Sequence, residues 1–298
     1  MKASCERAMV CLDGLSVGDA FGEIFSHASP HSMQSREVPP PPWSFTDDTQ
    51  MALSVVSILQ KYGGIEQDAL AASFAEHYEG WRGYGAAMYG LLSRIERGEH
   101  WLEASRSLFS GQGSFGNGAA MRVAPVGAYF AEDLDAAAKH AALSAEVTHA
   151  HPEGISGAIA VAVATAMSWR FRNTRPLPGA SEFLRQVLDK VPLSQVSRKL
   201  IKACDLGDGA SLETAIAELG NGSEVSAQDT VPFALWCAAR HLGSFEEALW
   251  FTASAQGDCD TNCAIAGGIV VMCSGLDSIP QEWLHSREQL PDWPFTEQ

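Results

Sequence analysis

Apolar residues return at three- and four-residue spacing along almost the whole chain: Met9, Leu12 and Leu15; Leu53, Val56 and Leu59; Leu70, Phe74 and Tyr78; Phe183, Val187 and Val191. That is the period of a helix face, and alternating β-branched runs of strand length are scarce. Alanine-rich stretches such as DLDAAAKHAALSAEV and GAIAVAVATAM favour helix and allow close helix packing. The spacing predicts an all-α fold of about fourteen helical segments. Breakers divide them, among them KYGG (61–64), SGQGSFGNG (110–118), LGNGSE (219–224) and SAQGDCD (254–260). The longest break covers residues 26–43 and contains the Pro39 to Pro42 run, which cannot be helical; a loop of that length is a lid, a binding loop or a disordered segment. No period repeats and no linker divides the composition, so one domain is expected over residues 1–298.

Composition narrows the partners. Lys and Arg number 20 against 36 Asp and Glu, a net charge of −16 with no local basic patch. Such a surface repels phosphate backbones and anionic lipid, which argues against a nucleic-acid or membrane partner. Seven cysteines, an odd number at no framework spacing and mostly among apolar neighbours, read as buried free thiols of a reducing cytosol. The N-terminus carries no continuous apolar leader, and stretches such as AIAVAVATAM fall short of a membrane span. A cytoplasmic protein is expected.

Three short matches to chemical motifs fail on their context. GLSVG (14–18) has the nucleophile-elbow form, but helical periodicity precedes Ser16 and no parallel strands follow. GQGSFG (111–116) has the dinucleotide form, yet its lead-in reads as helix; its glycines could still let backbone N–H groups approach a phosphate. DCDTN (258–262) begins like a calcium loop, but Cys263 stands where glycine is needed and Ile269 where glutamate is needed.

Two acidic clusters remain: Thr46, Asp47, Asp48 and Thr49, then Asp258, Asp260 and Thr261, each at the mouth of an apolar helix and roughly 210 residues apart. Helix capping explains one or two such groups, worth ~1 kcal/mol each. Each cluster supplies more than that. Carboxylates brought together in a low-dielectric interior repel or take up protons unless a cation joins them, and an all-oxygen donor set suits Mg²⁺ or Mn²⁺.

The series GDAFGE (18–23), FTDDTQM (45–51), GSFGNGAAMR (113–122), THAHPEG (148–154) and GDCDTNCAIAGG (257–268), in this order, resembles the ADP-ribosylglycohydrolase family. That family includes the dinitrogenase-reductase-activating glycohydrolase and the ADP-ribosyl-arginine and ADP-ribosyl-serine hydrolases. The resemblance covers residues 11 to about 275. It implies a single compact, orthogonal multi-helix bundle of that family's type, with two Mg²⁺ or Mn²⁺ ions at its end. By the matching blocks, Thr46, Asp47 and Asp48 would be metal ligands from one side and Asp258, Asp260 and Thr261 from the other, with Asp260 bridging. Gly113, Ser114, Phe115, Gly116, Asn117 and Gly118 would wrap ADP-ribose, and His149 would line the same pocket; taken alone, His149 reads as a hydrogen-bonded core histidine. His151 and Pro152 are expected to shape the turn into the next helix.

The family's acid follows the last glycine of the first block by four residues, a place held here by Ser26. Glu23 is the nearest acid and the expected proton carrier, with Glu37 farther along and Asp47 or Asp48 able to orient a water. The resemblance thus implies a metal-dependent hydrolase that removes ADP-ribose from a modified protein, arginine-linked in preference to serine-linked. Ser26 motivates the alternative, a non-catalytic ADP-ribose binder or an immunity or interaction protein.

Overall fold

The computed structural model describes residues 2–26, 33 and 35–295; residues 27–32 and 34 of the long loop lie outside the described residues. Those described form seventeen α-helices and one 3₁₀ turn. They contain no sheet, only two isolated bridges, Trp43 with Arg287 and Gly116 with Ser226. The sequence predicts fewer helices because four-residue pieces such as Leu108–Gly111 and Gly118–Met121 lie where its glycines read as a turn.

Six helices place the site: α1 (Ala3–Phe25), α2 (Asp47–Tyr62), α3 (Pro152–Phe171), α4 (Ala227–Arg240), α5 (Phe245–Ala253) and α6 (Cys259–Ser274). The centre of the molecule is the antiparallel pair α1 and α6, with α6 also packed on α3, α4 and α5. Gly14, Gly18 and Gly22 recur every four residues and line the face of α1 that meets α6. A Cβ at Gly18 would lie 2.2 Å from the Cys263 carbonyl oxygen, and one at Gly22 would lie 2.4 Å from that of Cys259. The two backbones touch, which only glycine permits. The GLSVG match is therefore part of a helix seam: Ser16 is fully buried and its hydroxyl donates to Asp13 O at 3.2 Å. By this register, the C-terminal end of α1 meets the N-terminal end of α6.

The last turn of α1 is anchored by aromatic rings. Phe21 stacks on Trp283 at 4.5 Å between centroids and meets Trp250 edge-on at 4.9 Å, while Trp43 packs against both Phe21 and Trp283. Trp43 N donates to Ser286 O and Glu288 N donates to Trp43 O, so the C-terminal segment pairs with the strand-like residues just ahead of the TDDT cluster. Helix α2 is then capped at its start by Thr46 and at its end by Gly63, whose left-handed φ of 74° closes the last turn.

Helix α3 opens as its sequence predicts. Pro152 occupies the first turn, and the His151 ring accepts a hydrogen bond from Glu153 N at 3.1 Å. By length and composition α3 could cross a membrane, although the sequence led us to expect every apolar stretch to fall short; 78% of its apolar window is buried inside the protein. All seven cysteines are free and buried.

Candidate metal and substrate site

The N-terminus of α2 is capped from another helix. Asp19, fully buried on α1, receives four donors: Thr46 N (3.0 Å), Thr46 Oγ1 (2.9 Å), Thr49 N (3.0 Å) and Thr49 Oγ1 (2.5 Å). The first turn of a helix leaves free N–H groups and a partial positive charge, and a carboxylate answers both. Asp47 N donates to Arg82 O at 2.8 Å. The Arg82 guanidinium donates in turn to Phe45 O and to the carboxylates of Glu79 and Glu288, which straps the cluster to the C-terminal segment.

Capping does not use up Asp48. One of its oxygens accepts from Thr46 Oγ1 at 3.0 Å and faces Thr261 Oγ1 at 3.4 Å; the other, Oδ1, is buried with no hydrogen-bond partner among the described residues. Thr46 has one hydroxyl proton for two carboxylates, Asp19 and Asp48, so the arrangement is short of positive charge.

The second cluster arrives on α6. Ligand oxygens of Asp19, Asp48 and Asp260 lie within 4.8 Å of one another. Asp258 Oδ2 accepts from Asn117 Nδ2 at 2.5 Å, and Asp258 N donates to Asn221 O. Burial, then the charge of Asp260, pushes the carboxyls of Asp47 and Asp258 up to about 8 and that of Asp19 up to about 7. Burial and the neighbouring Asp19 raise Asp48 well above the ordinary range. An orphaned buried oxygen among converging carboxylates and hydroxyls fits a hard divalent cation. The structure thus brings Thr46, Asp48, Asp260 and Thr261 together, with Asp47 and Asp258 close enough to feel Asp260. It adds Asp19, which the sequence did not single out.

A pH effect follows from these positions. A carboxyl raised to about 7 or 8 in the folded chain, against ~3.9 when unfolded, stabilises the metal-free protein fully below about pH 4 and loses that contribution as pH rises through 7 to 8. A cation reverses the cost of ionisation. Saturating Mg²⁺ or Mn²⁺ should therefore raise the melting temperature more at pH 8 than at pH 5.5; an equal shift at both, measured by calorimetry, would show that the cation binds elsewhere.

The glycine turn forms the neighbouring wall. Gly113 has φ 77°, Ser114 Oγ accepts from Gly116 N, and the turn is held by His151 N to Ser114 O and Ala227 N to Phe115 O. His149, 4% exposed, lies under it: a Cβ at Gly118 would fall 2.9 Å from the ring. Burial, then the Arg122 charge, pushes His149 down to about 3, so the ring is neutral. Phe115 is partly exposed, with its ring 6.2 Å from that of exposed Phe109. Phe109 and Ser110 both hold left-handed backbone (φ 50° and 59°), a conformation that costs ordinary residues about 1–2 kcal/mol each. Asn117 bridges two parts of the site. Its amide nitrogen donates to Thr230 and Asp258, tying the turn to the second acidic cluster. Glu23 is exposed on the last turn of α1, one turn beyond Asp19, while the Ser26 hydroxyl turns back to Gly22 O at 3.1 Å.

A family model described as ADP-ribosylglycohydrolase matches residues 1–297. The chain is 30% identical to human ADP-ribosylhydrolase ARH3, over 96% of this chain and 90% of that one. It is 33% identical to an uncharacterised protein of Archaeoglobus fulgidus, over 98% and 94%. A solved structure titled ADP-ribosylglycohydrolase-related protein complex shares the fold, with a TM-score of 0.68 and 24% identity over 97% of this chain and 94% of that one.

Proposed function

As this chain belongs to the ADP-ribosylglycohydrolase family, we propose that it hydrolyses the ribosyl C1″ bond joining ADP-ribose to a protein side chain, with release of ADP-ribose. The observation that supports this most is the convergence of Asp19, Asp48 and Asp260, with one Asp48 oxygen buried and without a partner among the described residues. Thr46, Asp47 and Asp48 from α2 and Asp258, Asp260 and Thr261 from α6 would hold two Mg²⁺ or Mn²⁺ ions. The chemistry supplied there would be charge for the ribose hydroxyls and a lowered pKa for a water.

The chain's own groups do the rest. Asp19 aims the α2 ligands by capping their helix. With the N–H groups of Gly113, Gly116 and Asn117 spent on the turn's own bonds, those of Ser114, Phe115 and Gly118 are the ones to receive the pyrophosphate, and the face of Phe115 offers a stacking surface to the base. Glu23, at the open end of α1, gives or takes the proton as the ribosyl bond breaks. Seven buried free thiols support a reducing compartment such as the cytoplasm.

The relatives' names specify ADP-ribosyl hydrolysis and not the acceptor, so they lend no support to the arginine preference expected from the sequence. Arginine-linked and serine-linked ADP-ribosylated proteins therefore form two arms of one assay with Mg²⁺. Release of ADP-ribose from either supports the proposal. Tight ADP-ribose and Mn²⁺ binding with no release from either supports instead a non-catalytic binder, the reading that Ser26 motivates. Glu23→Gln is expected to lower kcat by ~10²–10⁴-fold with ADP-ribose affinity unchanged; unchanged kcat would remove Glu23 from the reaction.

A further inference from the structure

Behind His149 lies a buried arginine that the reaction does not use. Arg122 is fully buried; its guanidinium donates to Gly118 O (3.0 Å), Ser144 O (2.9 Å) and Thr148 Oγ1 (2.8 Å) and lies 4.5 Å from the centre of the Phe74 ring. A guanidinium has donors only, so Thr148 Oγ1 accepts from it and must place its own proton elsewhere. The acceptor in reach is His149 Nδ1, 2.7 Å away. Were Nδ1 protonated, Thr148 would accept twice and bury an O–H with no partner among the described residues, a cost that interiors avoid. Nδ1 is thus the acceptor, and the ring proton sits on Nε2.

Nε2 is the nitrogen that faces the turn. It lies 3.0 Å from where a Gly118 Cβ would stand and 3.3 Å from a Gly116 Cβ, and it makes no hydrogen bond to a described residue. A ring N–H of a nearly buried side chain that faces a ligand turn and makes no hydrogen bond to a described residue is a donor kept for the ligand.

We propose that Arg122 and Thr148 are positioning residues that hold His149 as the Nε2–H tautomer and aim that donor at an oxygen of bound ADP-ribose. The proposal rests on the reading that the 113–118 turn holds ADP-ribose. Arg122 is the charged group that faces the ring, and it disfavours a second ring proton; burial lowers Arg122 itself to about 9, which leaves it a cation at neutral pH.

The tautomer can be read without turnover or ligand. In ¹⁵N-imidazole-labelled protein, with the His149 signals assigned by their loss in His149→Phe, Nε2 should carry the proton and Nδ1 should not. Thr148→Val should redistribute the proton between the two nitrogens and weaken ADP-ribose binding on the order of tenfold, one hydrogen bond's worth. Thr148→Ser should restore both. A proton on Nδ1 in the wild type, or a Thr148→Val protein with unchanged tautomer and affinity, would overturn the proposal. Calorimetry of His149→Phe with ADP-ribose and with ADP separates the acceptors: loss for ADP-ribose alone indicates a ribose oxygen, loss for both a phosphate, and loss for neither removes His149 from the site. If ADP-ribose fails to bind the wild type, the functional reading fails while the ring spectrum still tests the relay.

Discussion

Asp260→Ala should lose metal binding and turnover together, with kcat/KM down by at least ~10²-fold, since even outer partners of metal ligands cost about 10–100-fold. Asp260 is the residue whose charge is felt by Asp19, Asp47, Asp48 and Asp258, and its carboxylate meets those of Asp19 and Asp48 within 4.8 Å. The same crowding gives the variant an opposite signature without metal. Removing one acid relieves repulsion, so in chelator at pH 8 Asp260→Ala should melt at a higher temperature than the wild type, and Mg²⁺ should reverse the order. Tight Mn²⁺ binding by the variant in a calorimetric titration would show that the bridging role belongs to another carboxylate.

Gly18→Val should act through the fold and remove the site as a consequence. Even a methyl group there would lie 2.2 Å from the Cys263 carbonyl oxygen, and a backbone atom cannot step aside as a side chain can. The α1–α6 pair must separate, at a cost on the order of 3 kcal/mol or more, several degrees in Tm. Separation also parts Asp19 from Asp260, so Mn²⁺ affinity should fall with stability. Gly90, in the helix Ala86–Glu96 with open space around it, is the control: Gly90→Ala should be neutral or stabilising by about 0.5–1 kcal/mol. Thermal melts that rank both variants alike would mean the seam tolerates a side chain.

The helical class and both acidic clusters were legible because each is local: a period of 3.6, and an excess of acids beyond what one helix start can use. The glycine turn was legible for the same reason. Asp19 was not, although its block was quoted. In one dimension it is a lone acid inside an apolar helix, and its four donors come from residues about 27 to 30 positions away in sequence. Nor does the sequence show that Asn117, placed in the turn, also reaches Thr230 and Asp258, more than a hundred residues on. Gly14 and Gly18 leave a signal, a four-residue spacing on one helix face, and the helical period that rules out an elbow at Ser16 is the same period that sets this glycine face. Helical spacing is the stronger reading where no strand precedes the motif.

The seam between α1 and α6 also sets an order of events during synthesis. Helix α1 leaves the ribosome first, its glycine face bare, and its partner follows about 230 residues later, on the order of 10–50 s at ~5–20 residues per second. Until then Asp19 and Asp48 lack the third carboxylate of their group, that of Asp260. A cation bound as proposed would accordingly have to wait for α6, and a chain that stops short of Asp260 would keep Asp19 and Asp48 without the carboxylate that completes their group.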